Sequence, residues 1–206
     1  MKLGLVFALG VLGCASGGER SSCAVPVTAA VAEAFMQAAV EKRDAQPRTG
    51  IDIDHEASPL SLHGRCLVAV ALSWDGRHEG AVVVADSARN VIFSDTTYRG
   101  AYNLHVTPRG RLVFQYVAGW GSGLWETRAV VLCPLDTDVW VLCLELTVDH
   151  ILSIVGTGDP GLYEQHGELR TAGDTLIVVR RVVLSPYDHR WPAESSAAVT
   201  LRLPIP

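Results

Sequence analysis

Gly119-Trp120-Gly121-Ser122-Gly123-Leu124-Trp125 is the stretch whose residue types point most directly to chemistry. Two indoles set among glycines can form an aromatic platform, and aromatic faces in water suit sugars, peptides or the apolar knob of a partner. The stretch does not fit two enzyme devices. A phosphate cradle needs a helix whose N-terminus meets the anion, and the residues after Gly123 have the period of a strand. A nucleophile elbow needs Gly-x-Ser-x-Gly, whereas Ser122 stands directly between two glycines, so it reads as a turn residue.

Carboxylates and imidazoles come next. Asp52, Asp54 and Glu56 alternate along Ile51 to Glu56, and on an extended chain such residues share one face and can converge on calcium. A calcium loop also needs a tight turn and a distal bidentate carboxylate. Neither is visible, so a solvated edge is expected and no metal. His55, His63, His78, His105, His150, His166 and His189 contain no pair at the i, i+4 spacing of a helical zinc motif or the i, i+2 spacing of one strand face. Asp149-His150 and Asp188-His189 are neighbours, and neighbours on a strand point to opposite faces. A hydrolytic site would have to be assembled from dispersed Asp, Glu, His and Ser residues. The catalytic residues of that alternative, an extracytoplasmic hydrolase, are not named by any motif.

The N-terminus carries an address. Met1-Lys2 is followed by the apolar run Leu3 to Gly13, shorter than the ~20 residues that span a bilayer, and thus a secretory segment. Its end, Val11-Leu12-Gly13-Cys14, resembles the lipobox of bacterial lipoprotein precursors. The resemblance implies cleavage before Cys14, diacylation of its thiol and acylation of the new amine. Residues 1–13 are then the signal peptide and 14–22 a lipidated tether of small and polar residues. With Ala15 rather than Asp after the cysteine, the resemblance implies the outer membrane, facing the periplasm, in a Gram-negative cell.

Export makes disulfides the expectation for Cys23, Cys66, Cys133 and Cys143. Four cysteines allow three pairings. Cys133 and Cys143 flank Pro134 to Asp138 and are equidistant from position 138, so a hairpin there sets them on facing strands within reach of a bridge. The favoured pairing is Cys133–Cys143 with Cys23–Cys66. No C-x₂₋₄-C spacing suggests zinc.

The elements that must position these residues follow from periodicity. Val27, Val31, Phe35 and Ala38 or Ala39 share the period of an amphipathic helix over about 27–43, with Pro26 suited to its first turn. Asp44 to Gly64 reads as a connection, with a short strand near Ile51. From about residue 66 the period becomes that of strands: Cys66 to Leu72, Ala81 to Ala85, Val91 to Phe93, Tyr102 to Val106, Arg111 to Val117, Leu124 to Cys133, Val139 to Val148, Leu162 to Leu169, Thr175 to Leu184 and Ala197 to Leu203. Asp75-Gly76, Pro108-Arg109-Gly110 and Ala172-Gly173-Asp174 mark turns between them. About ten short strands without βαβ alternation predict a mainly β, antiparallel sandwich or barrel-like meander with one N-terminal helix, as a single domain over 23–206.

Composition sets the outer limits. At 49% hydrophobic and 19% charged residues the 206-residue chain has the means to bury a core. A net charge of −5, with Lys2 and Lys42 as its two lysines, excludes nucleic acid as an expected partner. The expectation is a lipid-anchored β domain of the cell envelope, acting as a binding or accessory module without cofactor. Its partners are the membrane, through Cys14, and an envelope protein or glycan at Trp120 and Trp125.

Overall fold

Thr28 opens the one helix among the described residues. Its Oγ1 accepts a hydrogen bond from Val31 N at 3.4 Å, capping α1 (Ala29–Glu41), so Pro26 lies before the cap rather than in the first turn. The computed structural model describes residues 23, 25–42, 52–75, 79–121, 124–154, 161–186, 194–195 and 198–206. The secretory segment, Cys14, the tether to residue 22, Gly76, His78, Ser122, Gly123, Asp188 and His189 lie outside the described residues. Among those described, no helix is long and apolar enough to cross a membrane.

α1 buries Val31, Ala32, Phe35, Met36, Ala39 and Val40 against one face of a four-stranded antiparallel sheet. That sheet runs β1 (Ile53–Leu62), β2 (Arg65–Trp74), β3 (Glu79–Asp86) and β4 (Val91–Asp95) in chain order. β2 and β3 read as near-continuous apolar runs because both of their faces are covered. Val68, Val70, Leu72, Ala81, Val83 and Ala85 meet the helix, while Leu67, Ala69, Ala71, Val82 and Val84 meet the second sheet.

β1 corrects the sequence reading, which placed a connection there. It pairs with β2 over all ten residues, from Ile53 opposite Trp74 to Leu62 opposite Arg65. Only Leu60 and Leu62 are buried apolar positions. Pro59 is tolerated because this is an edge strand with no further neighbour to bond. The Asp75-Gly76 turn signal also resolves differently: Trp74 pairs with Glu79, so the connection has four residues rather than two.

The second sheet has eight strands: β5 (Tyr102–Val106), β6 (Leu112–Gly121), β7 (Leu124–Pro134), β8 (Trp140–Ile154), β9 (Gly161–Ala172), β10 (Thr175–Pro186), β11 (Glu194–Ser195) and β12 (Val199–Pro204). They neighbour one another in chain order except that β11 and β12 both pair with β10. The front faces of β5 to β7 close the central core on the first sheet with Leu104, Leu112, Phe114, Val130 and Leu132. β9 pairs with β8 only from His150 to Ile154 and then leaves it.

The departing β9–β10 hairpin covers the back of β6 and β7, where Leu169, Leu176, Val178 and Ile205 pack with Val113, Ala129 and Val131. At its turn Asp174 Oδ2 meets Arg109 Nε at 3.0 Å, four strands away in the sheet order. The second sheet therefore covers its own back, and a close approach allows it. A Cβ on Gly167 would stand 2.5 Å from the Val148 carbonyl oxygen. The strand order stays open at both ends, which settles the alternatives in favour of two packed antiparallel sheets over a barrel.

Candidate functional site

Trp120 and Trp125 do not lie in a loop. β6 continues to Gly121 and β7 starts at Leu124, and the two tryptophans are directly opposed across the ladder. Directly opposed residues project from the same face, close enough for large side chains to touch. A register shift between Val117 and Gly119 turns the end of β6 so that Trp120 joins Trp125 on the back face, the face of Ala129 and Val131. The β9–β10 hairpin does not cover this end, and Trp120 remains 49% and Trp125 38% exposed. Ile151 opposes Trp125 on β8, and Glu164 opposes Ile151 on β9, so a row of same-face positions runs outward from the indoles.

Arg128 and Tyr98 are on the other face. Arg128 alternates with Trp125 along β7, and Tyr98 packs edge-on against Phe114 and Tyr116 in the central core. On that front face Arg128 Nε donates to Glu126 Oε1 at 2.7 Å, and Tyr116 Oη donates to Glu145 Oε1 at 2.5 Å. Thr147 Oγ1 also donates to Glu126, at 3.2 Å. Burial pushes the Glu126 carboxyl up, but the hydrogen bond and charge of Arg128, with Thr147, outweigh it and hold the group below its ordinary range. Burial raises Tyr98 to about 12, helped by the charges of Asp95 and Glu145. Tyr116 is raised as well, by burial first and by its bond to Glu145. These are the signatures of satisfied carboxylates and neutral phenols.

Next to Trp125 on the same face, the buried Thr127 and the half-buried Asp149 form a polar joint. Thr127 Oγ1 donates to Asp149 Oδ2 at 2.7 Å, and Gly167 N donates to Asp149 Oδ1 at 2.9 Å. Asp149 thus ties β7, β8 and β9 where β9 leaves the sheet, while His150 projects oppositely, 3.9 Å from Glu126. The adjacent pair Asp149-His150 is split between two faces, as strand geometry requires.

Asp54, Glu56 and Ser73 line a cavity of about 220 Å³ between the sheets, together with His55, Ala101 and Tyr102. Glu56 Oε2 accepts a hydrogen bond from Leu104 N at 2.7 Å, so this carboxylate bridges the two sheets. Asp52 is exposed at the end of the strand. Among the described residues, no group of three or more His, Cys, Asp or Glu side chains is arranged to hold a metal ion. His55 Nε2 lies 3.3 Å from the Val27 carbonyl, His105 Nε2 2.9 Å from Asn103 Oδ1, and His166 Nε2 2.8 Å from Glu164 Oε2. These contacts place the three imidazoles beside three unrelated groups.

Both expected disulfides are present, Cys23–Cys66 and Cys133–Cys143. The second forms by a different register from the one anticipated. Cys133 opposes Val141, and Cys143 falls in the irregularity where Val131 opposes Leu144 and Leu132 opposes Leu142. The Cα atoms are nevertheless 5.9 Å apart, well within bridging range.

The Thr127–Asp149–Gly167 joint and the Glu126–Arg128–Glu145–Tyr116 network were not anticipated. Each depends on which residues face one another across strands, and only alternation along a single strand is legible in sequence. The chain matches no protein-family model, no curated protein and no solved structure.

Proposed function

We propose that this protein is a lipid-anchored β domain of the cell envelope that binds a partner through the back face of the β6–β7 hairpin end. The observation that carries the reading is the directly opposed, half-exposed pair Trp120 and Trp125. Large aromatics left in water at the end of an ordered ladder offer contact area at little cost in conformational entropy. Such residues dominate recognition surfaces for glycans and proteins alike. Ile151 extends the same face next to Trp125, and Glu164 lies one strand further out. The lipobox-like Val11-Leu12-Gly13-Cys14 supplies the anchor and, with two disulfides, the extracytoplasmic address. In a Gram-negative cell that address is the periplasmic side of the outer membrane.

The test has two arms. Intact mass of the protein from the membrane fraction must start at acylated Cys14. Immobilised full chain must capture envelope glycan or an envelope protein, and Trp120→Ala/Trp125→Ala must lose that capture by tenfold or more with unfolding unchanged. Capture that survives the double substitution removes the site from this surface.

A further inference from the structure

Ser73 is 3% exposed, and its hydroxyl lines the cavity between the sheets without a hydrogen bond to any described residue. Asp54 stands directly opposite it across the β1–β2 ladder. Directly opposed residues project from one face with Cβ atoms ~4.5–5.5 Å apart. Asp54 also makes no hydrogen bond or ion pair with a described residue, so a hydroxyl and a carboxylate border one gap without closing it. A buried polar group without a partner destabilises a fold, and native structures keep one where something else satisfies it.

The surrounding backbone builds this gap. Gly80 opposes Ser73 on β3, and a Cβ there would stand 2.5 Å from Gly100 N and 3.1 Å from Ala101 N. The missing side chain lets the β4–β5 connection pass close to β3, which sets Ala101 and Tyr102 as the far wall of the cavity. In β5 the register shifts between Tyr102 and His105, with Asn103 at a φ of 54°, and Leu104 N donates to Glu56 Oε2 at 2.7 Å. Glu56 lies two residues from Asp54 on the same face of β1 and is held beside the gap. That bond uses one acceptor position of a carboxylate that offers about four. Both carboxylates are exposed at the edge strand, so the cleft opens to solvent there.

The donor set selects the ligand. Neither carboxylate forms an ion pair with a described Arg, Lys or His, so the cleft offers two negative charges and one hydroxyl to whatever enters. A primary ammonium carries one positive charge and three N–H donors, which Asp54, Glu56 and Ser73 Oγ match one for one. A calcium ion takes 6–8 oxygens, several of them carboxylate. Among the described residues no group of three or more His, Cys, Asp or Glu side chains stands here to supply them. The cavity of about 220 Å³ also exceeds the ~30 Å³ that one water occupies, which leaves room for a short alkyl stem beside Ala101 and Tyr102.

We propose that this cleft binds the primary ammonium group of a small alkylamine, held by Asp54, Glu56 and Ser73 Oγ. The site rests on neither the anchor nor the tryptophan surface. The experiment is an NMR titration of the full chain with butylammonium, and with tetramethylammonium, butanol and calcium as comparison probes. Butylammonium should saturate one site per chain and bind at least tenfold more tightly than tetramethylammonium, which has the charge without N–H donors. It should exceed butanol, which lacks the charge, by at least the same factor. Asp54→Asn, a change at an exposed side chain, should weaken butylammonium at least tenfold. Ser73→Ala should weaken it at least threefold with thermal unfolding no lower, since that hydroxyl has no partner to lose. Asp136→Asn in the β7–β8 turn removes the same charge elsewhere and should leave binding within twofold. Equal affinity for tetramethylammonium, or an equal loss in Asp136→Asn, reduces the effect to general charge and overturns the proposal. Calcium binding lost in Asp54→Asn, with no butylammonium bound, overturns it in favour of a metal. Butylammonium saturation untouched by Asp54→Asn, or no saturation at all, which leaves the cleft to water, overturns it as well.

Discussion

β6, β7 and β8 have two ends built on different principles. At one end the β1–β2, β5–β6, β7–β8 and β9–β10 turns converge. Arg65 reaches Thr137, Arg109 reaches Asp174, and Cys133 Sγ lies 3.9 Å from the carbonyl of Pro206. Both disulfides are here. At the other end neither disulfide is present, and polar side-chain contacts join the strands: Thr127 to Asp149, Glu126 to Arg128, Tyr116 to Glu145. Covalent closure removes entropy from the unfolded chain, whereas polar contacts on an extended ladder only fix local geometry. The stapled end determines whether the domain is folded, and the tryptophan end determines what it shows.

The largest effect should therefore come from the staple. Cys23→Ala/Cys66→Ala opens a cross-link spanning 43 residues, which is worth about 4 kcal/mol. Opening Cys133–Cys143, with a separation of 10, should cost about 3 kcal/mol. Urea unfolding of the two variants should preserve that order. The reverse order would mean that the β7–β8 turn, and not the N-terminal segment, is the main constraint on the unfolded chain.

Next is the joint beside Trp125. Asp149→Ala deprives the Thr127 hydroxyl and the Gly167 amide of their acceptor at a half-buried site and should cost about 1–2 kcal/mol. The comparison is sharpened by where the loss appears. Amide exchange should accelerate at Gly167 and along 124–127 while Leu67 to Leu72 stays protected, because opening at this end leaves the stapled core intact. Uniform acceleration would show that the two ends unfold together.

What the sequence could disclose follows the same division. The period-2 runs of β2, β3, β6 and β7 were legible because two packed faces select apolar residues at every position or at alternate ones. β1 was not, since Asp54 and Glu56 face a polar cavity and only Leu60 and Leu62 are buried apolar positions. Cysteine identity gave both bridges, although Cys143 reaches Cys133 from a bulge that symmetry about position 138 does not anticipate. The tryptophans were visible as residue types, but their shared face was not. It depends on an irregularity at Val117 to Gly119, and one inserted residue reverses every side chain beyond it. Alternation along one strand predicts burial; a site needs the register between strands.

A third, smaller effect is alkaline. Tyr98 is raised to about 12 and Tyr116 is raised too, so folding favours both phenols in their neutral form. Their contribution is complete below the unfolded value of about 10 and is lost as pH rises through the folded values. Stability should fall by about 1 kcal/mol for Tyr98 by pH 11, and Tyr98→Phe should flatten that fall. Glu126 has the opposite sign: held low by Arg128, it supports the fold above about pH 4.3 and ceases to as pH falls through its folded value. Both groups lie on the front face, so alkaline loss in Tyr98→Phe equal to that of the parent protein would move the sensitivity elsewhere.

The smallest effect on stability should carry the largest effect on binding. Trp120 and Trp125 are exposed, and an exposed cross-strand aromatic pair contributes roughly 0.2–1 kcal/mol over alanine. Trp120→Ala/Trp125→Ala should therefore unfold within about 1 kcal/mol of the parent in urea. A structural pair capping the β core would instead cost several kcal/mol, as buried aromatic truncations do. If the double variant is stable and capture is lost, exposure at this end is functional. If it is markedly destabilised, the tryptophans belong with the scaffold, and the contrast between the two ends collapses into one continuous core.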